Sequence, residues 1–94
     1  MPNLRDILSL KPVPTTVAGF DVVISRPTIC DLVEAIEINE KRPSDARPWM
    51  LHRHLLDASG TPLFASVEDA RLCPAHVGAE AIRKIELLYN EGRD

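Results

Sequence analysis

Cysteine is scarce: Cys30 and Cys73 are the two in 94 residues, too few for the disulfide framework of a small secreted scaffold. No long apolar run is present. The opening MPNLRDILSL alternates charge with leucine, too short and too polar for a membrane span and unlike a secretory signal. An intracellular protein with reduced thiols is therefore expected. A basic excess is missing as well, since 11 Lys and Arg against 14 Asp and Glu leave a net charge of −3. That balance argues against general nucleic-acid affinity. Internal repeats and low-complexity segments are absent. So are a phosphate-binding loop, a dinucleotide fingerprint and a His-Glu-x-x-His run.

With 45% apolar and 27% charged residues, the composition is that of an ordinary soluble domain. The length fits one domain over residues 1–94, enough chain for one modest core. Asn3 suits the cap of a short helix whose Leu4, Ile7 and Leu8 follow helical spacing, and Pro12 and Pro14 end it. From Val13 to Arg26 the period drops to two. Phe20, Val22 and Ile24 alternate with Asp21, Val23 and Ser25, and Ala18-Gly19 supplies a tight turn, which predicts an N-terminal β-hairpin. Thr28 is placed to cap the next helix, with Asp31 near its positive end. Ile29, Leu32, Val33 and Ile36 form its apolar stripe; Ile38 falls on the opposite side and is a candidate partner-facing residue.

The linker EKRPSDARP leads to the stretch Pro48 to Phe64, read as a helix, a glycine stop and an extended exit. Asp45 is placed to cap that helix. Leu51, Leu55 and Ala58 share one arc, while Trp49 and Leu56 fall on a second line roughly 150° from Leu51. A helix apolar on two sides is either sandwiched in the fold or docks a partner with its second face. Trp49 and Leu56 are thus candidates for partner binding, although Trp49 equally suits a core position between the helices and the hairpin. Gly60 suits the left-handed position after a helix, Pro62 forbids continuation, and Leu63 and Phe64 turn back to the core. Ser66 to Asp69 reads as a cap and an acidic first turn. Pro74 then opens a last helix over 75–89, with Gly78, Ala81, Ile82, Ile85, Leu88 and Tyr89 inward and Gly92 as its stop.

Chemistry finds little to work with. Cys73 and His76 offer half of a zinc ligand set, and His52 and His54 diverge by about 200° on a helix. The Cys73–His76 pair lacks an orienting carboxylate, while Glu34 with Glu37 and Glu68 with Asp69 read as a solvated face and a cap. No catalytic residue, metal ligand or cofactor site is expected. The bases Lys41, Arg42, Arg47 and Arg53 cluster beside Asp45, but the connection between the flanking helices is too long for a helix-turn-helix.

The order of features resembles the small tail assembly chaperones of long-tailed bacteriophages and prophages. A leucine-rich opening, NLRDILSLKP, precedes the hairpin TTVAGFDVVISRPT. Then come the central helix and its exit, HLLDASGTPLFAS, and a capped acidic turn leading to the last helix, VEDARLCPAHVGAEAIRKIELLYNEG. The most particular segment is LLDASGTPLF; Cys73-Pro74 and the histidines match nothing in the pattern. The resemblance implies an α+β fold, mostly helical, with no enzymatic activity. It also implies host-cytoplasmic binding of tape-measure protein and tail-tube subunits during assembly. Self-association stays open, and neither nucleic acid nor a membrane is an expected partner. The competing reading is a small DNA-associated regulator, such as an antitoxin or a repressor accessory domain.

Overall fold

The computed structural model describes residues 11–91. The expected helix at Asn3 to Leu8 and the stop at Gly92 lie outside the described residues. The architecture is α+β, an antiparallel hairpin followed mainly by helices. The elements are β1 (Val13–Val17), β2 (Phe20–Ile24), α1 (Ile29–Lys41), a 3-10 turn (Pro43–Asp45), α2 (Ala46–His54), β3 (Leu55–Asp57), α3 (Val67–Ala70) and α4 (Ala75–Tyr89).

The hairpin forms where the alternation placed it. Val13 pairs with Ile24 and Val17 with Phe20. Ala18 and Gly19 both have positive φ, 54° and 83°, as a two-residue turn matching the strand twist requires. Glycine takes that conformation freely, whereas Ala18 is held there with its N–H donating to Glu80 Oε1 of α4 at 3.3 Å. Cross-strand partners share a sheet face, so Val17, Val22, Ile24 and Leu55 point together into the core. Phe20 belongs to the same row, yet at the hairpin end it is 74% exposed.

Helix α4 closes that face. Its expected stripe is the buried one: Gly78, Ala81, Ile82 and Ile85 are buried, and Leu88 and Tyr89 half-buried. Lys84 Nζ donates to the Thr16 carbonyl, tying α4 to β1. The cap before α3 also forms as expected. Ser66 Oγ accepts from Asp69 N, and Asp69 Oδ2 accepts from Ala65 N.

Several expectations are corrected. The central helix ends at His54 rather than Asp57, and Leu55–Asp57 is a strand paired with β2. The sheet order is therefore β1-β2-β3. The open edge of β2 offers unpaired backbone groups, and Leu-Leu-Asp, with no strong helix cap of its own, satisfies them. Asp45 also fails to cap α2 and pairs with Arg42 and Arg71 instead. Gly60 does adopt positive φ, 92°, but in the turn leaving β3. There the Asp57 carboxylate accepts from Ser59 N at 2.8 Å and Thr61 N at 3.0 Å. These donors hold the Asp57 carboxyl below the usual carboxylate range, the Ser59 side chain contributing most.

The last correction concerns α1. Thr28 caps it as expected, and the cap is reciprocal: Thr28 Oγ1 accepts from Asp31 N, and Asp31 Oδ2 accepts from Thr28 N. Its orientation is reversed. The regular stripe faces solvent, and the buried residues are Asp31 and Ile38. The main core is built from the hairpin, α2, β3, α3 and α4, and none of the stripe residues belongs to it.

Candidate partner-binding surface

Helix α1 is fastened by its polar side. Arg53 Nε donates to Asp31 Oδ1 at 2.9 Å, and Arg53 Nη2 to Oδ2 at 3.3 Å, a two-pronged pair. The Asp31 side chain is 6% exposed and that of Arg53 43%, so the carboxylate depends on its partner far more than the guanidinium does. Beside this pair, His54 is fully buried. Its Nε2 lies 2.6 Å from Tyr89 Oη and its Nδ1 3.1 Å from the Ser25 carbonyl. A neutral ring with Nδ1–H donating to Ser25 and Nε2 accepting from the tyrosine hydroxyl satisfies both contacts. Burial pushes the His54 pKa down and the Tyr89 pKa up. The neighbouring Asp31 charge opposes the shift at His54 and adds to that at Tyr89. Trp49 meets the His54 ring edge-on, with centroids 5.8 Å apart.

The opposite side of α1 carries Ile29, Leu32, Val33 and Ile36, exposed by 76, 39, 58 and 52%. Their spacing puts them on one line over two turns. Glu37 and Glu40 stand on or beside that line, with Glu34 farther round, all exposed. An uninterrupted aliphatic line on a helix fixed from behind presents a ready surface for another helix.

The residues expected to face a partner lie elsewhere. Ile38 and Trp49 are buried, 4% and 6% exposed, and present no surface. Trp49 takes the interior position that was its alternative. Leu56 is half-buried on β3 and bridges to Pro62, so it shares no face with Trp49. The helical line joining them ends because the helix ends at His54. The surface on α1 is legible in the sequence as an apolar stripe, but periodicity does not say what covers it. The anchoring network is not legible, since the one local signal at Asp31 is its place near the positive end of the helix.

The histidines diverge as their spacing requires. His52 Nδ1 lies 2.8 Å from the Phe64 carbonyl, while His54 is committed to Ser25 and Tyr89. Cys30 is exposed, and the Cys73 thiol, its pKa pushed up by burial, donates to the Pro74 carbonyl. Among the described residues, no three His, Cys, Asp or Glu side chains converge on a metal-sized site. The basic cluster is dispersed, with Lys41 held by Glu37, Arg42 by Asp45 and Arg53 by Asp31. No described helix is long and apolar enough to cross a membrane.

Among solved structures, one similar to this chain is that of the bacteriophage HK97 tail assembly chaperone. The TM-score is 0.64 at 16% identity, over 89% of this chain and 90% of that one. This chain has the fold of a phage tail assembly chaperone. No family model and no curated protein matches its sequence. At this identity the likeness to the HK97 chaperone extends over the architecture and not to individual side chains.

Proposed function

We propose that this protein is a phage tail assembly chaperone, a non-enzymatic binding protein that holds tape-measure protein and tail-tube subunits in the host cytoplasm before they assemble. The observation that carries the reading is the aliphatic line Ile29, Leu32, Val33 and Ile36, exposed on a helix whose other side is pinned to the body. The shared fold with the HK97 chaperone supports the same role. A tape-measure protein of long amphipathic helices needs its apolar stripes covered until assembly, and a rigid helix with a matching stripe covers them by side-by-side packing. The partner-facing residues of the proposal are accordingly those of α1, with Ile38 and Trp49 acting from the interior to hold it. Sedimentation of the protein alone accompanies the test, to separate capture from self-association through the same line. Co-expression with tape-measure and tail-tube fragments should give capture by the native chain and loss of capture by Val33→Asp/Ile36→Asp, at an unchanged Tm. Capture undiminished by that variant overturns the assignment of the surface.

A further inference from the structure

On the side of α2 that carries Arg47, Pro48 and Leu51, a second groove runs between α2, α3 and α4, with a volume of about 500 Å3. Its floor is apolar. Leu51, Ala70, Gly78 and Ile82 are all buried there, and the small residues leave room for close approach. Its rim carries Arg47, Arg71, Arg83 and Glu86.

The ion pairs of the rest of the chain make this rim unusual. Among the described residues Arg26, Lys41, Arg42, Arg53, Arg71 and Lys84 each hold a carboxylate. Neither Arg47 nor Arg83 is in ion-pair contact with a carboxylate, although Arg83 lies near enough to Glu80 on α4 to help lower its pKa, and both stand on this one groove. Lys11, at the edge of the described chain, is the remaining base without a partner. The protein has more carboxylates than bases, so two guanidiniums left open beside an apolar floor form a local departure from its charge balance. A guanidinium offers a planar fork matched to a carboxylate.

We propose that this groove docks an acidic amphipathic segment of a partner protein. Its aliphatic side chains enter over Leu51, Ala70 and Ile82, and its carboxylates meet Arg47 and Arg83. Glu86, which pairs with neither arginine, repels a carboxylate placed at its end of the groove and so favours one direction of the bound segment. The site is separate from the α1 surface, and either can fail without the other.

The test uses two synthetic amphipathic peptides with identical aliphatic anchors, one flanked by Glu and one by Lys, titrated into isotope-labelled protein. The Glu peptide should shift the amide resonances of Leu51, Ala70, Gly78 and Ile82, with affinity falling as salt rises. The Lys peptide should leave them unmoved. Arg47→Glu/Arg83→Glu, both at exposed positions, should weaken the Glu peptide by about tenfold or more at an unchanged Tm, whereas Val33→Asp on α1 should bind it normally. Equal binding of both peptides, shifts confined to α1, full affinity in the arginine variant, or no shift at millimolar peptide each overturns the proposal. Shifts of these amides with increasing concentration of the protein alone assign the groove to a second copy, which overturns it as well.

Discussion

Replacing either member of the Asp31–Arg53 pair should have unequal consequences, and the inequality follows from burial. Arg53→Met keeps the side-chain stem but leaves the Asp31 carboxylate, 6% exposed, with the Thr28 N–H as its remaining donor. An uncompensated buried charge costs about 3–5 kcal/mol in a dry interior. The partner here is 43% exposed and water reaches one side of the pair, so about 2–4 kcal/mol is the working figure. Asp31→Asn keeps a side-chain oxygen to accept from Thr28 N, and Arg53 turns outward and is hydrated. About 1 kcal/mol is expected for that change. Asp31→Asn/Arg53→Met should then cost less than Arg53→Met alone, because the stranded charge is gone. Urea unfolding followed by circular dichroism measures the three values, and amide exchange along α1 reports whether the loss begins there. Equal costs for the single variants, or a double variant worse than Arg53→Met, would refute the claim that Asp31 is the dependent partner.

The other expectations follow from the same coordinates. Ile85→Ala, at a fully buried position, should lower stability by about 2–5 kcal/mol, while Val33→Ala on the exposed stripe should stay within about 0.5 kcal/mol in the same denaturant titration. His54 is neutral when buried and its pKa lies below the unfolded value near 6.5. Its contribution is therefore complete above pH 6.5 and is lost as pH falls from there towards the folded pKa; His54→Gln should flatten that part of the stability-pH curve. Gly60→Val, at φ 92°, should destabilise by about 1 kcal/mol or more, whereas Ala18→Gly, at φ 54°, should leave melting unchanged or raise it.

How far the sequence reveals the fold depends on where each element finds its partner. The hairpin and α4 bury one face against each other, so alternation in Val22 and Ile24 and the spacing of Ala81, Ile82 and Ile85 carry the answer locally. Leu55 to Asp57 lacks such a signal. Its strand exists because β2 has an open edge, and Leu55 is buried against Ile24 from that strand. Helix α1 shows a third case. Periodicity in Ile29, Leu32, Val33 and Ile36 announces an apolar face but is silent on what covers it. What turns that face outward is an ion pair to Arg53, 22 positions along the chain from Asp31. The Tyr89 contact with His54 spans 35 positions, and no local pattern encodes either. Trp49 and Leu56 were joined by a helical line that stops between them, so their shared face vanished with the helix end.

The most direct measurement of the central claim is capture of a co-expressed tape-measure fragment by α1 variants of known stability. Val33→Asp/Ile36→Asp should melt with the native chain and lose the fragment, because a carboxylate forced into an apolar helix contact is costly to desolvate. The control Glu68→Ala, on α3 away from α1 and with its side chain 83% exposed, should retain it. Full capture by the double aspartate variant, at native stability, would contradict the account and remove α1 as the surface that recognises the partner.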